Sequence, residues 1–243
     1  MQSGDELLSV GKYAEAESAL VLKYSQTNDD SCGFTLAMAQ LAIHEAERAK
    51  TIFIALIEKS GIKYEHYYSY AGVASWMLKS YADAIDFWQA GSNCGYRDMA
   101  GGINIVLLRY FAGIRTGDES VVQKAKTLLS ERLKKAWAVH WPSPIARFVL
   151  GEISDGELLA IATDPLKHYA IIGEELTQAK FYIGVQGLLS GNTKEYRTQL
   201  KSCRLPHESK FAPESYLAPF ELQIAAQEER QKTGISDGSS EIS

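Results

Sequence analysis

Five histidines, three cysteines and a scatter of carboxylates are the residues of this chain equipped for catalysis or metal binding, and their spacing limits what they can do. His44, His66, His140, His168 and His207 lie far apart, with no HExxH pattern, so a helix-borne zinc site is not encoded. Cys32, Cys94 and Cys203 form no CxxC pair and read as free, buried thiols of a reducing compartment. No GxSxG elbow is present. Glu65, Glu152 and Glu157 are available carboxylates, but nothing in their spacing joins them as an acid–base pair. Ala100-Gly101-Gly102 opens a helix and so offers amides to an anion. It lacks a preceding strand and a following Lys-Ser/Thr, which favours close helix packing instead. The run from Lys124 to Lys135 gathers Lys124, Lys126, Arg132, Lys134 and Lys135 near a helix C-terminus, where cations offset the helix dipole. It reads as a solvated face, with a patch for an acidic protein surface as the sharper alternative. No catalytic residue, metal ligand or cofactor is expected.

The bulk properties exclude other classes. A net charge of -5, with 25 basic against 30 acidic side chains, argues against a nucleic-acid binder. Apolar stretches fall well short of the roughly 18 residues that would span a membrane. Met1 to Glu6 show neither a basic n-region nor an apolar h-region, so no signal peptide is expected and the cytoplasm is the default location.

Which elements would position a site? The stretch Tyr68–Gly91, YSYAGVASWMLKSYADAIDFWQAG, sets an aromatic (Tyr68) four residues before a glycine (Gly72), then Tyr81, Ala84 and Trp88 at helical spacing. Small residues in two neighbouring helices permit close approach, and the aromatics fill the space around the contact. The pattern returns at Gly11–Leu20, at Leu36, Ala37, Ala49 and Phe53, and at Phe181–Gly184 with Gly191, Tyr196 and Leu200. Ala16, Ala49 and Ala84 are 33 and 35 residues apart, near the 34-residue period of tetratricopeptide repeats. Asn104–Arg115 and Val121–Leu133 read as another helix pair. Pro142 and Pro144 suit a helix start, Gly151 a helix end, and Ser154 with Glu157 a capping box. A final helix from Glu214 to Lys232 is expected to cap the edge of the last pair. The tail from Thr233 to Ser243 is expected to be disordered.

The chain therefore resembles tetratricopeptide repeat proteins. The expectation is an all-α solenoid of about five helix hairpins with a C-terminal capping helix, one domain over residues 1–232 and a disordered tail over 233–243. In that register the first helices line a concave face. His66, Tyr67, Ser69, Trp76, Met77, Asn104, Phe111, Arg115 and Gln178 become the expected partner-binding residues, since aromatics and arginine are favoured at interface centres. Two bacterial groups are similar. The segment WPSPIARFVLGEISDGELLA with AKFYIGVQGLLSGN resembles scaffolds of the NlpI type, which hold a partner protein. The same segment with AGVASWMLKSYADAIDFWQAG and DMAGGINIVLLRYFAGIR resembles immunity proteins of polymorphic toxins. The resemblance implies a non-enzymatic protein binder whose partner is a toxin or client protein, with no nucleic acid or membrane involved and a homodimer possible.

Overall fold

The computed structural model describes residues 2–233, and among them the chain is all-helical with no strand. Twelve helices follow one another as pairs: α1 (Gly4–Ser9) with α2 (Tyr13–Thr27), α3 (Asp30–Ala42) with α4 (Ala46–Ser60), α5 (Glu65–Met77) with α6 (Tyr81–Gly91), α7 (Ile103–Thr116) with α8 (Glu119–Leu133), α9 (Ser143–Val149) with α10 (Asp155–Ala162), and α11 (Tyr169–Leu189) with α12 (Thr193–Lys201). A thirteenth, α13 (Glu214–Thr233), has no pairing helix after it among the described residues. There are six pairs rather than about five, because the short α9–α10 segment is a complete pair. The expected disordered tail lies outside the described residues, apart from Thr233, which ends α13.

One turn chemistry recurs inside every pair. Gly11, His44, Lys79, Gly117, Gly151 and Gly191 all take a left-handed backbone between the two helices. The amide after each then reaches five residues back: Lys12 to Leu7, Glu45 to Gln40, Ser80 to Ser75, Asp118 to Gly113, Glu152 to Arg147 and Asn192 to Gly187, all at 2.8–2.9 Å. This bond satisfies a carbonyl that the helix end would otherwise leave without a partner and turns the chain back on itself. Helix starts are capped as well. Ser3 with Glu6 and Ser154 with Glu157 form complete capping boxes, and Asp29, Asp118 and Asn192 accept first-turn amides.

Each helix packs on the next, from α1 through α13. The fourth residue of α2, α4 and α6 is Ala16, Ala49 and Ala84, and each is fully buried. Their small side chains let backbones approach, and large rings fill what remains: Phe53, Trp76, Trp88, Phe111 and Phe181 are wholly buried. Odd-numbered helices also touch one another, α1 with α3, α5 with α7, and α7 with both α9 and α11. The last helix does more than cap an edge, because α13 packs on α12 and α11 and also reaches back to α5.

The tightest approach is at Gly72, where an added Cβ would lie 2.2 Å from Trp88 Nε1. That nitrogen donates to the Ser69 carbonyl at 3.0 Å, so the indole is not free to move aside. Gly72→Ala is expected to lower stability by about 1–3 kcal/mol through overpacking, despite the ~1 kcal/mol that alanine otherwise brings to a helix interior. Urea denaturation checks this, and a midpoint at or above that of the parent protein would contradict it.

Candidate functional site

The residues expected to bind a partner divide into two groups. The first lies beneath α13. Trp76 Nε1 donates to Glu221 Oε1 at 2.7 Å, and Arg115 Nε donates to Glu221 Oε2 at 2.6 Å. Arg115 Nη2 also reaches Glu228 Oε1 at 2.6 Å, and the Tyr196 hydroxyl donates to Glu221 Oε2 at 2.8 Å. Phe111 is fully buried, its ring centroid 4.8 Å from that of Trp76 and 5.1 Å from that of Phe181. Gln178 donates to Asn104 Oδ1 and Glu214 Oε2 and accepts from Trp141 Nε1. Met77 faces Leu41, Tyr216 and Pro219 around a small cavity of about 110 Å³. Trp76, Met77, Phe111, Arg115 and Gln178 are therefore spent inside the molecule. The repeat register expected them on a concave, partner-binding face. Trp76, Met77, Arg115 and Gln178 instead meet residues of the chain's own last helix.

Tyr67 is buried too, within a ring cluster with Phe34 and Tyr64. The second group, His66, Ser69 and Asn104, lines an open cavity of about 400 Å³ between the start of α5, the α6–α7 connection and the α12–α13 connection. Its walls are aromatic, from Tyr64, Tyr70, Tyr96 and Phe211, and its polar groups are Glu65, Arg97 and Asp98. His66 sits at the rim against Phe34 and Tyr64, and burial of its ring lowers its pKa.

The α6–α7 connection explains how this cavity is built. Asp98 Oδ1 accepts from the amides of Ala100 and Gly102 at 2.8 Å each, and Oδ2 from the Asn104 amide at 2.7 Å. The amides that could have held an external anion at Ala100-Gly101-Gly102 thus hold the protein's own carboxylate. Gly101 and Gly102 have φ of 78° and 88°, which a residue with Cβ rarely adopts. The Trp137 indole fills the space beside Gly101. Arg132, counted above among the basic run, is instead buried. Its guanidinium donates to the carbonyls of Gly102 and Ser92, pinning the connection from the α8 side.

Glu65 is the chemically distinctive member. It is 4% exposed, and its Oε2 has no hydrogen-bond partner. Burial first, and then the Asp98 charge, push its carboxyl up to about 8, against the opposing pull of Arg132, Arg97 and the Asp98 amide. At neutral pH it is chiefly a neutral acid. The three thiols offer no nucleophile, since burial raises Cys32 and pushes Cys94 to about 11 and Cys203 to about 12. Among the described residues no cluster of three or more His, Cys, Asp or Glu is placed to hold a metal, and no helix is long and apolar enough to cross a membrane.

No protein-family model and no curated protein matches this chain. The site is thus read from its own geometry. Glu65, Arg97, Asp98 and Phe211 were not singled out as binding residues from the sequence. The available signal was Asp98 two residues ahead of a helix-opening Ala-Gly-Gly, a spacing suited to a side chain capping several amides at once.

Two measurements follow. Glu65 holds a proton in the folded protein that the unfolded chain releases above its ordinary 4.5. Its contribution to stability is therefore complete below that pH and is lost as pH rises toward about 8. The slope from this one group reaches up to about 1.4 kcal/mol per pH unit. Urea denaturation across that window should show Glu65→Gln flattening the decline, and an unaltered slope would count against the assignment. Glu214, also buried and pushed up to about 7, adds a decline of the same sign that Glu65→Gln leaves in place. Separately, Glu221→Ala should cost about 3–5 kcal/mol, because it leaves Trp76 Nε1 and the Tyr196 hydroxyl buried without an acceptor and Arg115 with only the half-exposed Glu228. A loss under ~1 kcal/mol, as for an exposed pair, would show that the network matters little.

Proposed function

We propose that this chain is a non-catalytic protein-binding protein of the tetratricopeptide type, a curved solenoid of helix hairpins that docks a partner protein one to one. The observation that carries the reading is the repeated pair geometry: the same left-handed turn and reaching amide in six pairs, with a buried alanine at the fourth position of α2, α4 and α6. A stack of like units presents an extended, preformed surface, which suits binding with little reorganisation. Because α13 occupies the inward side through Glu221, the partner is assigned to surfaces α13 leaves open, above all the cavity beside Glu65 and the connections around it. This moves the binding surface away from Trp76, Phe111 and Arg115 and keeps His66, Ser69 and Asn104 within it.

The most specific form of the proposal is an immunity protein that neutralises one cognate toxin, in line with the resemblance carried by the AGVASWMLKSYADAIDFWQAG, DMAGGINIVLLRYFAGIR and WPSPIARFVLGEI segments. Three free thiols suit action in a reducing compartment such as the cytoplasm. The test is a tagged pull-down with partners identified by mass spectrometry and stoichiometry measured by light scattering. One protein recovered one to one, and toxic to cells lacking this chain, is the expected result. A spread of substoichiometric partners would overturn the immunity form in favour of a scaffold. A self-dimer alone would overturn the one-to-one reading.

A further inference from the structure

The connections that join successive pairs from α4 onward, residues 61–64, 92–102, 134–142, 163–168 and 202–213, touch one another in series, although Leu205, Pro206 and His207 of the last lie against Tyr13. Tyr96 donates its amide to Lys63 O at 2.8 Å, Trp137 packs on Gly101, Lys167 lies over the Trp141 ring at 5.6 Å, and Phe211 shares the cavity with Tyr96. Of the fifteen exposed large apolar side chains among the described residues, eight belong to these connections; Trp137, Met99 and Leu166 are examples. The same stretches hold seven Lys and Arg against three Asp and Glu, in a chain whose net charge is -5. One of the three acids, Asp98, is already saturated by amides. These connections are therefore basic and aromatic on an otherwise acidic protein, although Lys167 is already paired with Glu175 of α11.

The cavity opens at its centre. Arg97 spends Nε on the Cys94 carbonyl at 2.6 Å, and its terminal nitrogens have no protein partner among the described residues. The Asn104 side chain accepts through Oδ1, and its Nδ2 has no such partner either. Glu65 Oε2, buried against Gly102, is likewise unpartnered. A cationic guest is disfavoured, because Lys63 already sits 4.7 Å over the Tyr64 ring and Arg97 and Arg132 flank Glu65. A carboxylate completes the set: Arg97 and Asn104 donate to it, while Glu65, closed off behind them, faces it only through its charge state.

We propose that the cavity seats an acidic side chain of a partner polypeptide, and that the basic, aromatic connections around it dock the acidic segment carrying that side chain. This deepens the protein-binding reading and rests on it. The groups facing Glu65 are Asp98 and Arg97 from the α6–α7 connection, Cys94 before them and Arg132 from α8. Affinity falls as pH rises through about 8 and Glu65 ionises toward the bound carboxylate.

The test is fluorescence anisotropy of the full chain with a labelled peptide of Asp, Glu and Phe, against the same peptide with Asn and Gln in place of the acids. The acidic peptide is expected to bind at least about tenfold tighter. Arg97→Glu should remove that preference, as should the exposed pair Lys134→Glu with Lys135→Glu, helical content being checked by circular dichroism. Glu65→Gln should keep the binding and abolish its loss above about pH 8. Equal affinity for the neutral peptide would overturn the proposal, as would tighter binding of a phosphopeptide or of phosphatidylglycerol vesicles. A partner protein captured equally by the parent and by Arg97→Glu would overturn the cavity assignment and leave the protein-binding reading standing. Acidic-peptide binding with no partner protein found would do the reverse.

Discussion

The buried Glu221 carboxylate is the constraint on which the arrangement of the other helices depends. It has no exposure to solvent, and a charge in that position is tolerable only with well-placed donors. The donors are Trp76 from α5, Arg115 from α7 and Tyr196 from α12, so one side chain of α13 joins four helices. Apolar packing alone tolerates sliding of one helix along another, whereas three directed bonds to two oxygens do not. They fix α13 in register and set the distance between α5 and α12, helices remote in the chain. Around this point Trp76, Phe111 and Phe181 make a continuous run of rings.

A second carboxylate works in the same way at the other side of the molecule. Asp98 gathers three amides of the α6–α7 connection, and Arg132 takes two of its neighbouring carbonyls. Between them they take up five backbone groups of an irregular stretch, which allows it to form one wall of a cavity. Glu65 is the group left over. Its raised pKa follows from position: too far inside for solvent, beside Asp98, and without a direct ion pair.

The helices were legible in the sequence because their signals are local. The capping box of Ser154 with Glu157, the glycines at the turns and the alanines near a 34-residue period each act within a few residues of their partners. The placement of α13 was not legible, since Glu221 meets Arg115 and Trp76 across 106 and 145 residues. Periodicity reports which face of a helix is apolar; it cannot report what covers that face. Trp76 and Arg115 carried the composition of an interface and do sit at one, but it is internal. The cavity failed to show for a related reason. Its residues come from helix starts and connections far apart in the chain, and only folding brings Glu65, Arg97 and Phe211 together. His66, Ser69 and Asn104 line it from the starts of α5 and α7.

The reach of α13 to α5 also bears on how the chain acquires its structure. In a plain array of repeats each unit leans only on its neighbours, so order can spread from any point and terminal units can be lost singly. Here the middle helices wait for the end. During synthesis the inward faces of α5 and α7, with Trp76 and Phe111, emerge long before residues 214–230 can cover them, and they stay open to misassociation in that interval. The same long closure couples the middle of the chain to its far end, so that loss of α13 removes the acceptor of Trp76, 145 residues away from Glu221.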